Sequence, residues 1–149
     1  MNTDDTANLV FEALAYAVAG QGDDAARHLI TIGSQSDDNR MYGVCCAIAA
    51  AGEHMLCQLY GERAPRPEHG DMWVLKQLQP GAMDSDPPKA FAARFLVAYC
   101  NKDNQTTLAL FAAALASEGD QYVDSVCALL VMVAGISRLA IDEKRGGQR

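Results

Sequence analysis

Apolar residues recur along this chain at the three- and four-residue spacing of amphipathic helices. The spacing predicts helices over about residues 6–19, from residue 23 to about 33, and over 38–61. It predicts three more from residue 86 to about 100, from about 105 to 118, and from 120 to about 142. The sequence therefore predicts an all-α fold, a compact bundle of six or seven helices forming a single domain over 1–142. We expect residues 143–149 to form a flexible tail.

The same spacing predicts which side of each helix faces the core. In the first triplet of helices these positions are Ala7, Val10, Phe11, Leu14 and Val18, then Ala26, Leu29, Ile30 and Gly33, then Met41, Val44, Cys45, Ile48, Gly52, Met55 and Leu59. In the first two helices of the second triplet they are Phe91, Phe95, Ala98 and Tyr99, then Leu108, Phe111, Ala112 and Leu115.

The last predicted helix is apolar on nearly every side. Such a helix has to be surrounded, either by the other helices or by a second subunit. Its strongest apolar run, residues 126–136, is shorter than a membrane span and is closely followed by Arg138. We therefore expect a buried core helix, no membrane association and, from the excess apolar surface, a homodimer.

The first and second triplets, residues 4–62 and 86–142, match at an offset of 80 positions. Phe11 falls on Phe91, and Tyr42 falls on Tyr122. The order of helix lengths repeats as well. The sequence thus predicts two pseudo-equivalent three-helix halves from an internal duplication.

Residues 63–89 join the halves and contain all five prolines of the chain, so long helices are excluded there. Residues 72–78 could form two helical turns, or else a short strand, which would lack a partner. The residues we expect to contact a protein partner are Met72, Trp73, Leu75 and Leu78. The alternative is that this apolar patch is a lid that covers the end of the bundle or bridges the halves. Long connecting segments are where binding functions concentrate.

Composition narrows the class of protein. Half of the residues are apolar and the net charge is −7, so the chain is not predicted to be disordered or to bind nucleic acid. Aspartates at predicted helix starts explain much of the acidity as capping. The five cysteines are odd in number and lie within apolar helical patterns. With no signal-peptide pattern at the start, we predict a reduced, cytoplasmic protein.

The sequence contains no combination of residues typical of a catalytic centre. His54 and Cys57 are spaced as neighbours on a helix, but no further metal ligand is indicated. We therefore predict no catalytic residues, no metal and no cofactor. A small-molecule pocket between the third and last helices is the alternative, because small residues at a helix crossing can leave space. Its residues would be Cys45, Gly52, His54, Cys57 and Gly135.

Residues 15–29 (Ala-Tyr-Ala-Val-Ala-Gly-Gln-Gly-Asp-Asp-Ala-Ala-Arg-His-Leu) resemble a tetratricopeptide-like helical hairpin. The resemblance covers one hairpin and lacks the roughly 34-residue period, so we assign no family. Two functions follow as expectations. The first is a non-enzymatic adaptor that binds another protein. The second is a ligand-binding or enzymatic helical domain that uses the pocket named above.

Overall fold

The computed structural model of the protein describes residues 3–75 and 85–146, with only the backbone of residue 3. Within these ranges the chain is all-α and contains no strand, as the apolar spacing predicted. The helices are α1 (Thr3–Val18), α2 (Gly22–Ser34), α3 (Asp38–Tyr60), α4 (Pro87–Cys100), α5 (Asn104–Leu115) and α6 (Gln121–Gly146). Two single 3-10 turns, Gly61–Arg63 and Pro67–His69, follow α3.

Aspartate side chains cap three helices at their N-termini. Asp37 accepts a hydrogen bond from the Arg40 amide at 2.8 Å, and Asp86 accepts one from the Lys89 amide at 3.1 Å. Asp103 does the same for α5. These bonds satisfy amides that have no partner inside the helix. Much of the chain's acidity therefore has a structural role.

The start of α2 differs from the aspartate capping predicted at helix starts. The residue before the helix is Gln21, whose side chain makes no capping bond. Asp23 and Asp24 lie inside the first turn instead. There they suit the positive end of the helix dipole.

The core lies where α6 packs against α1, α3, α4 and α5. Gly52 on α3 marks the closest approach. A Cβ atom at this position would lie 2.9 Å from Val133 Cγ2 on α6 and 3.0 Å from Leu96 Cδ1 on α4. A Cβ atom this close would require the Val133 and Leu96 side chains to shift, so the close packing of the three helices at this point favours glycine.

An aromatic cluster joins the two triplets. The ring of Phe111 on α5 meets Tyr42 of α3 at 5.6 Å and Tyr122 of α6 at 5.9 Å, both edge to face. The Tyr42 ring also contacts Phe95 at 6.3 Å, and its hydroxyl shares a hydrogen bond of 2.8 Å with the Thr107 hydroxyl. Aromatic pairs in this geometry contribute beyond their buried area.

The predicted inner faces of α1 and α2 are correct only in part, since Val10 and Leu29 are buried as predicted but other members of each face are not. Phe11 is 65% exposed, whereas Val10 and Ala13 are buried. On α2 the buried residues are Ala25, Leu29 and Ile32, and Ile30 faces solvent. On α5, Leu108, Ala112 and Leu115 were also predicted to be internal and are exposed, and of that predicted face only Phe111 is buried. Each helix carries more apolar residues than its buried face uses, so the spacing alone did not decide the rotation.

Helix α6 is partly surrounded by its own chain. Its buried face consists of Ser125, Val126, Leu129, Leu130, Val133, Ala134, Ser137 and Ala140. The helix is long and apolar enough to cross a membrane, but the core helices of soluble proteins often have the same length and composition. In this structure 44% of its most apolar 18-residue stretch is buried. Its last turn continues through Gly146, past the end predicted near residue 142.

The segment after α3 is irregular. Residues 71–75 have no regular secondary structure, so the two helical turns considered for residues 72–78 do not form over 72–75. The remainder, including Leu78, lies outside the described residues. The part of the segment that is described runs back along the C-terminal end of α4, which brings Trp73 to Asn101.

Candidate functional site

The backbone of Trp73 is held in place by one side chain, that of Asn101 immediately after α4. The Trp73 amide donates to Asn101 Oδ1 at 2.6 Å, and Asn101 Nδ2 donates back to the Trp73 carbonyl at 2.9 Å. One amide side chain thus satisfies both backbone groups of the tryptophan, as a neighbouring strand would. The indole ring meets Tyr60, the last residue of α3, edge to face at 5.5 Å. Trp73 therefore bridges the ends of α3 and α4.

The turn that carries Asn101 is itself fixed. α4 ends at Cys100, and Lys102 adopts a left-handed conformation with φ of 61°. Its ammonium group donates to both carboxylate oxygens of Glu53 on α3, at 2.8 and 3.1 Å. These hydrogen bonds raise the pKa of Lys102. The ion pair holds the α4–α5 turn against α3, and Asn101 with it.

The side chains next to Trp73 point outward. Val74 is 77% exposed and Met72 is 68% exposed, and these are the two most exposed large apolar side chains in the described part of the chain. Tyr60 is also exposed. We call Tyr60, Met72 and Val74 the Trp73 surface.

The residues predicted to contact a partner therefore divide into two groups. Trp73 and Leu75 are half-buried, and Trp73 packs against the core. Met72 faces solvent. Two helical turns and a short strand were both considered for residues 72–78, and the partner residues were named without deciding which side chains of 72–75 face inward. Val74, Tyr60 and Asn101 were not singled out, although residues 72–75 do fit the period of two of an extended segment.

The structure does not gather the five residues of the predicted pocket around one cavity. Cys45 is fully buried in the core, and Gly52 is packed against Val133 and Leu96. His54 and Cys57 are exposed on α3. A Cβ atom at Gly135 would meet nothing within 4 Å. The α3–α6 crossing is closed by Gly52, so this pocket prediction is not supported by the geometry.

The thiols have none of the features of activated nucleophiles. Burial raises the pKa of Cys45 and of Cys100 to about 12. The pKa values of Cys46, Cys57 and Cys127 are raised as well, in each case mainly by burial. A reactive cysteine needs its pKa lowered. These side chains therefore favour the neutral thiol at neutral pH.

The histidines that could do chemistry have structural partners. His28 contacts the Asp24 carbonyl through Nδ1 at 2.9 Å and Glu12 Oε2 through Nε2 at 3.0 Å. Its ring also packs against Tyr16, with centroids 4.9 Å apart. His54 Nε2 lies 3.1 Å from Gln58 Nε2. Among the described residues, no three histidine, cysteine or acidic side chains form a group that could hold a metal ion.

Comparisons of the chain with protein-family models, with curated proteins and with solved structures gave no significant match.

Proposed function

We propose that this chain is a non-enzymatic helical interaction protein that binds another protein through the Trp73 surface. One observation carries the proposal. The two most exposed large apolar side chains of the described residues, Val74 and Met72, lie on a short segment whose backbone is pinned by Asn101. Exposed apolar clusters of this kind are typical of interaction sites.

Anchoring makes such a surface a better binding site. A loop that must be ordered on binding loses affinity to the entropy of that ordering. Here the Trp73 backbone already has both hydrogen bonds, and its ring already packs against Tyr60. Methionine and tyrosine side chains are enriched at interfaces. Trp73 positions this surface, and Met72 and Val74 make the contact.

The alternative, a ligand-binding or enzymatic domain with a pocket between α3 and α6, has less support. The crossing is filled at Gly52, and the thiols have raised pKa values. The polar side chains of His28 and Glu53 are paired within the fold. An adaptor requires none of these groups to be reactive.

The proposal can be tested by comparing a variant of the Trp73 surface with a control variant elsewhere on the protein surface. The Met72→Ser/Val74→Ser variant removes the apolar side chains of the Trp73 surface. Leu108→Ser is the control, because it removes an exposed leucine on α5, outside that surface. Each of the three proteins would be used to capture partners from native lysate. A protein captured by the wild type and by Leu108→Ser, but not by the double variant, would be purified, and its affinity for each of the three would be measured by titration. We expect the double variant to weaken such a complex by about 100-fold, the range of interface hot spots. Identical capture by all three proteins would contradict the proposal.

A reduced cytoplasmic setting, homodimerisation and the absence of nucleic-acid and membrane partners also belong to the proposal. The five thiols are unbridged, which suits a reducing compartment. The net charge of −7 disfavours nucleic acid and anionic lipid. Fractionation of cells, with the protein followed by immunoblot, tests the compartment.

Duplication of a three-helix unit is a further proposal. The helices run 16, 13 and 23 residues in the first triplet and 14, 12 and 26 in the second. Tyr42 and Tyr122, which match at the 80-residue offset, both pack on Phe111. Phe11 and Phe91 differ, since one is 65% exposed and the other 7%. Halves of related sequences should match better at this offset than at any other, and an equal match elsewhere would remove the proposal.

A further inference from the structure

One ridge of α6 is only partly covered by the described chain. Val123, Cys127, Val131, Gly135 and Leu139 follow one another at four-residue intervals, and residues at this spacing form a continuous ridge on a helix surface. Val131 and Leu139 are each 62% exposed, and Val123 is exposed as well. Cys127 and Gly135 are half-buried. We call these five residues the α6 ridge, in which large and small side chains alternate.

The small residues of the ridge leave room for a close neighbour. A Cβ atom at Gly135 would point into open space, so the fold itself does not require glycine there. Beside the ridge lies an apolar groove of about 220 Å³ between α2 and α6, lined by residues that include Ala26, Leu29 and Ala134. A second helix could therefore approach α6 closely along this face.

The ridge is complementary to itself when reversed about Val131. Four residues away on either side are the small residues Cys127 and Gly135, and eight residues away are the exposed apolar residues Val123 and Leu139. A two-fold axis at Val131 sets each of these against its counterpart on another copy. Self-complementarity of one patch is what a two-fold dimer interface requires.

Charge follows the same symmetry. Asp124 and Arg138 lie seven residues before and after Val131, and both are exposed. In an antiparallel pair each aspartate would meet the arginine of the other copy, twice per dimer. Arg138 Nη1 already donates to the Ala17 and Val18 carbonyls at 2.8 and 3.3 Å, which fixes the side chain. Its guanidinium carries further donors on Nη2 and Nε for a carboxylate.

We infer that a second copy of this chain occupies the α6 ridge, with the two α6 helices antiparallel and the two-fold axis at Val131. This inference rests on the homodimerisation proposed above and names its surface, which is separate from the Trp73 surface. An unrelated partner would not account for the matched apolar, small and charged positions on both sides of Val131.

The test is sedimentation velocity of the full chain from about 1 to 200 µM, with dimer dissociation constants compared between variants. Val131→Asp places two carboxylates at the axis and should raise the dissociation constant at least about 100-fold. Leu108→Asp, an equally simple change on α5, should alter it less than about threefold. Thermal melts of each variant check folding, and both positions are exposed.

Charge exchange tests the register. Asp124→Arg alone should raise the dissociation constant about tenfold, because it meets Arg138 of the other copy. Asp124→Arg/Arg138→Glu should restore it to within about threefold. A monomer at all concentrations, a dimer that Val131→Asp leaves unchanged, or a dimer that the double exchange does not restore would each overturn the inference.

Discussion

The two long helices carry their glycines in opposite surroundings. Gly52 of α3 lies where α4 and α6 approach so closely that no Cβ fits. Gly135 of α6 faces open space on an exposed ridge. In the sequence both are glycines within apolar helical patterns, and both were assigned to one pocket. The difference teaches that small residues in this chain mark two kinds of helix contact, one completed within the fold and one left available.

The largest expected effect comes from filling the inner contact. Gly52→Leu would force four carbon atoms into a space already occupied by Val133 and Leu96, and we expect it to lower the free energy of unfolding by about 3 kcal/mol. Urea unfolding followed by circular dichroism measures the change. Gly43→Leu on the same helix is the control, since residue 43 faces open space. Equal losses in both variants would mean that the α3–α6 crossing is not closely packed.

The second largest effect is the loss of folding stability at alkaline pH that results from the thiols of α3 and α6. Burial holds the pKa of Cys45 on α3 at about 12, whereas its ordinary value is 9.0. Above pH 9 the unfolded chain loses this proton and the folded chain keeps it, so stability falls as pH rises. The loss between pH 8 and pH 10 should be about 1 kcal/mol for Cys45.

Variants separate this thiol from the others. Cys45→Ala should remove its share of the pH dependence measured by urea unfolding under reducing conditions. Cys127→Ala on the α6 ridge should remove less, because Cys127 is only half-buried. A slope that Cys45→Ala leaves unchanged would show that the buried thiol is not kept neutral by the fold.

The smallest expected effect is the change in stability when glycine is replaced by alanine, which should differ between positions with open space and the packed position 52. Gly135→Ala and Gly43→Ala should each raise the stability of the monomer by about 0.5–1 kcal/mol, because alanine favours helix and meets no neighbour. Gly52→Ala should not gain, since its new methyl would crowd Val133. Unfolding at a protein concentration that sedimentation velocity shows to be monomeric gives these values. A stabilised Gly52→Ala variant would count against the packing described.

The helix caps were predictable from the sequence, whereas the side of each helix that faces the core was predicted less well. The capping roles of Asp37, Asp86 and Asp103 depend on atoms three residues apart, so the sequence alone sufficed. The face of α1 was misjudged because Val10, Phe11 and Ala13 all fit an apolar stripe. Val10 and Ala13 are buried and Phe11 is exposed because of where α2 and α6 lie, and that is set by the whole fold.

The candidate site was found in part. The apolar patch around Trp73 was visible as a lone tryptophan among prolines. Its division into an inward Trp73 and an outward Met72 and Val74 depends on Asn101, 28 residues away in the chain. The excess of apolar surface on α6 was also predicted, but the ridge that remains exposed follows from which side of α6 the other helices cover.

The most direct test of the account is the solvent accessibility of the Val131 methyl groups, measured by NMR with a soluble paramagnetic probe at about 20 and 500 µM protein. The methyl groups of Val133, buried two residues away, serve as the internal reference. We expect strong broadening of Val131 at the low concentration and protection at the high one, with Val133 protected at both. Val131 protected like Val133 in the monomer, or equally exposed at both concentrations, would contradict an open α6 ridge that a second copy covers.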